Sequence, residues 1–310
     1  AFAVGDTVIG ATRANLQPWE PSPGVLIPRP DELRAKLVAA AAGDTHVVAD
    51  FDHTLTAAVL PSGEAGESSH GLVESHPNFG EEFRVQTHAL FEKFYPIEID
   101  DAIPHDDKAA AMVEWWETAH SLMIKAKVCR HDFEEMVASP KVALRPGVPA
   151  FFELAAANRV PLHVFSAGLG DLIDTALTKW GVRGDHAIVS NMMEFDADGV
   201  VTGFKEPLIH TLVKRGSVLH DSPEYGTIEG RRTVLLLGDQ PGDCRMGEGL
   251  DAERVIRVGF LNKKVEERKA LFLEMFDVVL VAVDGRQHGM EYPSSVLEHI
   301  VAAGAPAGGV

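Results

Sequence analysis

"VVADFDHTLT", residues 47–56, joins a run of apolar residues directly to two acidic side chains, Asp50 and Asp52. Side chains two positions apart on an extended chain leave on the same side, so both carboxyl groups can meet one ligand. A buried carboxylate is costly unless another group pairs with it. We therefore expect a buried strand here, with a reactive or metal-binding site at its end.

Similar short apolar runs recur along the chain and alternate with helical patterns. They predict an α/β fold with a Rossmann-like parallel sheet covered by helices. Ligands bind beyond the carboxyl ends of the strands in such sheets, and three of these runs end in Asp or Ser. The runs are "HVVADFD" (46–52), "PLHVFSAG" (161–168), "TVLLLGD" (233–239), "RVIRVGF" (254–260) and "FDVVLVAV" (276–283).

Residues 57–145 interrupt this alternation. The pattern predicts a long helix over 106–127 and a second over 130–139, which indicates a mostly helical cap domain inserted after the first strand. Residues 31–56 and 146–310 would then form the core domain. Residues 1–30 contain five prolines and are predicted to be an irregular extension. Residues 188–205 predict a hairpin that turns at "DADG".

The chain is acidic, with 28 basic and 46 acidic residues and a net charge of −18. This charge argues against nucleic acid polymers and anionic membranes as partners, because both attract basic surfaces. Two cysteines without metal-ligand spacing favour a reducing compartment, and we expect a cytoplasmic monomer. The first residue is Ala and not Met, so whether a leader was removed stays open.

Asp50 and Asp52 have the arrangement that phosphoryl transfer requires. Asp50 can attack phosphorus as a nucleophile. Asp52 can protonate the leaving oxygen and later take a proton from water. Thr54 is placed to hydrogen-bond back and hold the pair. Taken alone, the motif is also compatible with a polar strand end whose Asp caps a helix.

A second acidic motif, "LLLGDQPGDCRM", follows another buried strand. Asp239 near Asp50 would make a site of hard oxygen ligands suited to Mg²⁺. Asp243 would orient the groups around the metal rather than bind it. A Gly-Asp turn without any metal is the alternative.

Two further positions suit a phosphate. Ser166 ends a strand, and the small residues Ala167 and Gly168 after it let backbone N–H groups approach an anion closely. A lysine would balance the carboxylates and the charge that develops on phosphoryl oxygens. The residues alone leave Lys214 and Lys205 as rivals for this role.

In their order along the chain, these motifs resemble those of the haloacid dehalogenase-like (HAD-like) phosphohydrolases. The resemblance extends to the cytosolic 5′-nucleotidase III family, also called pyrimidine 5′-nucleotidases. It covers about residues 30–300 and rests on "DFDHTLT", "PIEID", "MVEWWETAHSL", "VFSAGLGDLI", "IVSNMMEFDADGVVTGFK", "LIHTLVK", "LLLGDQPGDCRMGEGL" and "GFLNKKVEERK".

The resemblance implies a Mg²⁺-dependent 5′-nucleotidase that works through an aspartyl-phosphate. It implies Asp50 as nucleophile and Asp52 as acid and base. Ser166, the Ala167 backbone and Lys214 would hold the phosphate, which selects Lys214 over Lys205. The metal would be bound by the Asp50 and Asp239 side chains and the Asp52 carbonyl.

The resemblance also implies which residues bind the base of a nucleoside monophosphate. The family uses the glutamate of "IEID", here Glu98, as an acceptor from the base, and an aromatic at Trp116 for stacking. Trp116 with Ala119 resembles the branch that acts on 7-methylguanosine monophosphate, whereas pyrimidine-preferring members tend to have Tyr and Ser. Ala58 stands where the family often has a second aromatic, so what covers the other face of the base stays open.

Two other functions are weighed against this one. The chain could be a phosphatase of another small monoester, such as a sugar phosphate or phosphoserine. It could also be a catalytically silent nucleotide-binding protein, although such a protein has no need of the acid and base Asp52.

Overall fold

The computed structural model of the chain describes residues 17–100 and 102–303, and a seven-stranded sheet lies at its centre. The described strands are β1 (Val25–Leu26), β2 (Thr45–Ala49), β3 (Leu162–Leu169), β4 (His186–Asn191), β5 (Met193–Phe195), β6 (Val201–Phe204), β7 (Thr233–Gly238), β8 (Arg254–Leu261) and β9 (Val278–Val281). The sheet order is β1-β9-β8-β7-β2-β3-β4, and all pairs are parallel except that of β1 with β9. The predicted α/β class with a parallel sheet is confirmed.

Strands β7, β2 and β3 are neighbours in the middle of this sheet. Ala49, the last residue of β2, pairs with Leu237 on β7 and with Val164 on β3. All residues of the three strands are buried. Because the strands are parallel, their carboxyl ends meet at one edge of the sheet. The polar residues that follow these three strands are therefore close together.

Helices cover both faces of the sheet. On one face, Val47 packs with residues of the first, sixth, seventh and tenth helices. On the other face, the next residue, Val48, packs with the eighth helix. This alternation follows from the two-residue period of a strand. The described helices are α1 (Pro30–Ala39), α2 (Ser69–Glu74), α3 (Gly80–Ile99), α4 (His105–Lys125), α5 (Phe133–Ala138), α6 (Val148–Ala157), α7 (Gly170–Lys179), α8 (Gly216–His220), α9 (Val265–Met275) and α10 (Glu291–Ala303).

The segment between β2 and β3 contains α2 to α6, and α2 to α5 lie within residues 57–145. The predicted helix over 106–127 is confirmed by α4, and the second by a 3₁₀ turn at Arg130–Asp132 that leads into α5. The sequence did not single out α3, a 20-residue helix with Pro96 in its last turn. Helices α3 and α4 pack together, and α4 also contacts β6. That residues 57–145 form a separate cap domain stays a prediction.

The prediction of an irregular segment over residues 1–30 is wrong in its last third. Val25 and Leu26 form the edge strand β1, and Arg29 donates to the carbonyls of Leu273 and Phe276. Residues 1–16 lie outside the described part. The predicted hairpin is confirmed by β5 and β6, although residues 188–191 belong to β4. Among the described helices, none has the length and apolar character needed to cross a bilayer.

His46, on β2, is buried, and neither of its ring nitrogens has a hydrogen-bond partner among the described residues. Burial, with smaller contributions from His163 and Arg231 and against the opposing effect of Asp44, lowers its pKa to about 3. The pKa of His46 in the folded protein lies below its value in the unfolded chain, so protonation favours the unfolded chain. The contribution of His46 to the free energy of unfolding is therefore fully present above about pH 6.5 and is lost as the pH falls toward 3.

We expect the free energy of unfolding of His46→Leu to fall less steeply than that of the wild type as the pH drops below about 6.5. The loss that His46 causes should be roughly 2 kcal/mol at pH 5, and the leucine variant should not suffer it. Urea unfolding between pH 4 and 8 measures the effect, and His88→Leu, at an exposed helical position, is the matched control. An identical acid slope in wild type and His46→Leu would show that this histidine does not carry the effect.

Candidate active site

The loop after β2 makes a tight reversal that presents two acids to the same space. The Asp50 N–H donates to the Leu237 carbonyl and so continues the pairing with β7. His53 then adopts a left-handed conformation, with φ of 62°. The Thr56 hydroxyl accepts from the His53 N–H at 2.8 Å and donates to the Phe51 carbonyl. The loop is thus closed on itself directly after the two acids.

The structure corrects the prediction for Thr54. The Thr54 side chain is buried, and its hydroxyl has no hydrogen-bond partner among the described residues. Because the chain reverses at His53, Thr56 comes to lie beneath the loop and holds it instead. The predicted role of Thr54 in holding the two acids is therefore wrong.

Lys214 joins two of the predicted acids. Its ammonium lies 2.6 Å from the Asp50 carboxylate and 2.7 Å from that of Asp243, and all three side chains are buried. Burial lowers the pKa of Lys214, but Asp243 and Asp50 raise it further than that, so the side chain stays charged. Lys205, its sequence rival, is exposed.

Asp243 has both carboxylate oxygens engaged by the protein. One accepts from Lys214, and the other accepts from the N–H groups of Asp239 and Gln240 at 3.0 and 2.9 Å. A Cβ at Gly238 would lie 2.4 Å from the Cβ of Asp243, so only glycine fits before Asp239. These contacts suit a residue that shapes the turn and leave Asp239 to face the site.

The carboxylates of Asp50, Asp239 and Asp243 could hold a metal ion. One oxygen from each lies within 4.8 Å of the others, and all three are buried. The positive charges near these three carboxylates are the Lys214 ammonium and the Arg145 guanidinium, and burial together with Asp50 and Asp243 still raises the pKa of Asp239 well above its usual range. A divalent cation would offset this excess charge, and hard oxygen donors fit it. Since Asp243 is already engaged, Asp50 and Asp239 are the better ligands.

Asp52 is held by a residue that the sequence did not suggest. Ser69, at the start of α2, donates from its N–H and its hydroxyl to the two carboxylate oxygens, both at 2.8 Å. Burial raises the pKa of Asp52 and these two hydrogen bonds oppose the rise, so that the pKa is about 6. A carboxyl group with this pKa can both give and take a proton near neutral pH.

Ser166 and its neighbours lie beside Asp52. The Ser166 hydroxyl accepts from the Gly168 N–H at 3.0 Å. A Cβ at Gly168 would lie 2.2 Å from the Ser69 hydroxyl and 3.1 Å from a carboxylate oxygen of Asp52. The small residues of "SAG" thus allow this loop to lie close to Ser69 and Asp52, as the sequence indicated. The side chains predicted to bind phosphate and to transfer protons are brought together here.

Trp116, on α4, is tied to the same loop. Its indole N–H donates to the Ala167 carbonyl at 3.0 Å, which connects the helical insert to the predicted phosphate site. The His70 ring lies edge-on to it, with centroids 5.9 Å apart. The neighbouring Trp115 is half-buried, stacks on Phe94 of α3 and lies edge-on to Trp116, with centroids 5.1 Å apart.

Glu98 and Ala58 occupy different environments. Burial raises the pKa of Glu98, and the nearby Thr211 hydroxyl and Lys108 ammonium oppose this rise. Thr211 precedes Lys214 by three residues, so Glu98 lies near the segment that carries this lysine. Ala58 is fully buried, and its N–H donates to Gln287.

Comparison with known proteins agrees with this geometry. The family model of the pyrimidine 5′-nucleotidases (UMPH-1) matches residues 53–301. The 7-methylguanosine phosphate-specific 5′-nucleotidase of Homo sapiens is 35% identical over 260 residues, which cover 83% of this chain and 85% of that protein. The 7-methylguanosine phosphate-specific 5′-nucleotidase B of Xenopus laevis is also 35% identical, over 83% of this chain and 87% of its own.

Two solved structures also align with the chain. Cytosolic 5′-nucleotidase IIIB bound to cytidine aligns with a TM-score of 0.79 and 29% identity, covering 89% of this chain and 93% of that one. A HAD family hydrolase from Salmonella enterica serovar Typhi aligns with a TM-score of 0.54 and 14% identity over 84% of this chain and 72% of its own, which shows a shared fold. With a family model over most of its length and relatives above 30% identity, the chain belongs to the pyrimidine 5′-nucleotidase (UMPH-1) family and has the HAD-like fold.

Proposed function

We propose that this 5′-nucleotidase hydrolyses nucleoside 5′-monophosphates through an aspartyl-phosphate on Asp50, with 7-methylguanosine and cytidine monophosphates as preferred substrates. The observation that carries the proposal is the position of Lys214 between Asp50 and Asp243, at the edge where Asp52, Ser166 and Asp239 also lie. A binding protein would not require a nucleophile and a proton donor on one loop.

The reaction has two steps. An Asp50 oxygen forms a bond to phosphorus while the bond from phosphorus to the 5′-oxygen breaks, and Asp52 gives its proton to that oxygen. Water then attacks the phosphorus, Asp52 takes the water proton, and the bond to Asp50 breaks to release phosphate. The pKa of Asp52, raised to about 6 by burial, suits a group that serves as acid and then as base.

Three groups would hold the phosphoryl oxygens during both steps. Lys214 supplies a buried positive charge next to the nucleophile. The Ser166 hydroxyl and the Ala167 N–H would supply hydrogen bonds from the end of β3. A preformed set of donors of this kind lowers the energy of the transition state more than that of the substrate.

Mg²⁺ would be held by the side chains of Asp50 and Asp239 and by the Asp52 carbonyl. It would neutralise charge on the phosphoryl oxygens. The excess of buried carboxylates over ammonium groups supports this assignment. Asp243 would keep Lys214 and the Asp239 backbone in place without binding the ion.

Trp116 and Glu98 would recognise the base. A 7-methylated guanine carries a positive charge, and tryptophan is the best aromatic partner for a cation. Glu98 would accept from the N–H groups on the edge of that base. The names of the relatives from Homo sapiens and Xenopus laevis support 7-methylguanosine phosphate, and the cytidine-bound neighbour supports a pyrimidine. His70, edge-on to Trp116, is a candidate to cover the face left open by Ala58.

Phosphate release from a set of monoesters tests the proposal. We expect kcat/KM for 7-methylguanosine and cytidine monophosphates to exceed that for a sugar phosphate and phosphoserine by at least about 100-fold. Chelation of Mg²⁺ should abolish turnover. Equal rates on sugar phosphates would favour the alternative of a general monoester phosphatase, and no turnover on any substrate would favour a silent binding protein.

The base assignment predicts the effect of Trp116→Tyr combined with Ala119→Ser. The ratio of kcat/KM for 7-methylguanosine monophosphate to that for cytidine monophosphate should fall by about tenfold, because tyrosine is the weaker partner for a cationic base. Trp180→Tyr, at a half-buried tryptophan that ends α7 outside the insert, is the matched control and should leave the ratio unchanged. An unchanged ratio in the double variant would contradict the assignment.

We also propose that the enzyme works as a cytoplasmic monomer on a small-molecule substrate, with no nucleic acid polymer or membrane as partner. The name of the cytidine-bound neighbour, a cytosolic 5′-nucleotidase, and the net charge of −18 support this proposal.

A further inference from the structure

Arg145 is a charged residue buried beneath the catalytic loop. It is 1% exposed, and its guanidinium lies over the Phe260 ring at 4.1 Å. Burying a cation is costly, so each of its donors should have a defined partner. Three of its hydrogen bonds go to backbone carbonyls, namely those of His53, Thr54 and His288 at 2.5, 2.7 and 2.6 Å.

The contacts of Arg145 follow the loop residue by residue. The guanidinium of Arg145 donates to the carbonyls of His53 and Thr54. The backbone N–H of Arg145 donates to the carbonyl of Leu55 at 2.8 Å. Asn262 reinforces the first contact, since its side chain donates to the His53 carbonyl at 3.0 Å and accepts from Arg145 at 3.1 Å. Arg145 thus donates to three consecutive carbonyls of one loop.

The conformation that these contacts hold is one that the loop would not adopt by itself. His53 has a φ of 62°, which is unfavourable for a residue with a side chain and persists only where the surroundings impose it. His53 directly follows Asp52, and the peptide group between them includes the Asp52 carbonyl. A change at His53 would therefore turn that carbonyl and move the carboxyl group.

We propose that Arg145 is a positioning residue that fixes the left-handed turn at His53 and thereby places Asp52 for proton transfer and metal binding. The inference rests on the proposed function of Asp52. Ser69, in the helical insert, donates to the carboxyl group of Asp52. Arg145 donates to the carbonyl of His53, the residue that follows Asp52.

A second arginine offers a matched control at the other end of β2. Arg231 donates to the carbonyls of Ala42, Thr45 and Arg159 at 3.0, 2.6 and 3.2 Å. It therefore also ties backbone segments together, but at the edge of the sheet away from the catalytic loop. Arg231→Met removes a comparable set of hydrogen bonds without touching that loop.

The test compares Arg145→Met with Arg231→Met in the full chain. The first readout is the Kd of Mg²⁺ for the protein without nucleotide, measured by calorimetry, and the second is kcat and KM. We expect Arg145→Met to raise this Kd and to lower kcat by about 10- to 100-fold each, with KM for the nucleotide changed by less than about threefold. Arg231→Met should lose stability but keep the Kd and kcat of the wild type.

Two further variants test the proposal if Arg145→Met does not fold. Asn262→Ala removes the second donor to the His53 carbonyl and should shift Kd and kcat in the same direction by a smaller factor. Arg145→Lys keeps the charge but loses the planar set of donors, so it should recover only part of the Mg²⁺ affinity.

The outcomes separate this inference from the proposed function. Equal Mg²⁺ affinity in Arg145→Met and Arg231→Met, or full recovery in Arg145→Lys, would overturn the positioning role. An inactive wild-type enzyme that still binds Mg²⁺ would instead count against the proposed function.

Discussion

Asp50→Asn should lower kcat by at least about 10⁴-fold, because the variant loses the oxygen nucleophile that forms the covalent intermediate. The amide is nearly the same size, and its oxygen can still accept from Lys214, which lies 2.6 Å from the native carboxylate. Nucleotide binding should therefore persist, with a Kd within about tenfold of the wild type, while turnover is lost. Phosphate release and equilibrium dialysis measure the two quantities.

Asp221→Asn provides the control for this change, since Asp221 is exposed and far along the chain from the catalytic loop. It should keep full activity. A value of kcat within tenfold of the wild type in Asp50→Asn would show that Asp50 does not attack phosphorus.

Lys214→Met should affect stability as well as catalysis. The variant leaves Asp50 and Asp243 buried without their shared cation, and removing one partner of a buried ion pair typically costs about 3–5 kcal/mol. It should also lower kcat by about 10²- to 10³-fold, because the charge that faces the phosphoryl oxygens is gone. Mg²⁺ should restore part of the stability, since it would offset the same carboxylates.

Urea unfolding with Mg²⁺ and with chelator measures the first effect, and phosphate release measures the second. Lys205→Met is the matched control, because Lys205 is the exposed rival that the sequence motif left open. If Lys205→Met lost activity and Lys214→Met retained it, the assignment of the phosphate-binding lysine would be reversed.

Much of the candidate site could be predicted because it depends on strand ends. Asp50, Ser166 and Asp239 each directly follow a buried apolar run, and a parallel sheet brings such positions together whatever lies between them. The choice between Lys214 and Lys205 could not be made from spacing, since neither follows a strand of the main sheet. It required the family resemblance.

Other contacts were beyond sequence reasoning because distant segments make them. Ser69 reaches Asp52 from the start of α2, 17 residues later, in a stretch that reads as a polar loop. An extended chain after Asp52 would place Thr54 to hold the acids, whereas the left-handed turn at His53 brings Thr56 there instead.

Two elements of the fold escaped prediction for similar reasons. The edge strand β1 has two residues, which is too short for a periodic pattern, and its partner β9 lies more than 250 positions away. Helix α3 has a weak apolar stripe and contains Pro96, so its sequence lacks the usual helical signal.

The central claim is that a phosphoryl group is transferred to Asp50, and its most direct test is to find it there. Enzyme that is turning over 7-methylguanosine monophosphate with Mg²⁺ would be quenched in acid, digested and analysed by mass spectrometry. We expect the peptide that contains Asp50 to carry the mass of one phosphoryl group, and the same peptide from Asp50→Asn to lack it. Active turnover with the phosphoryl group on a different residue, or on none, would contradict the account.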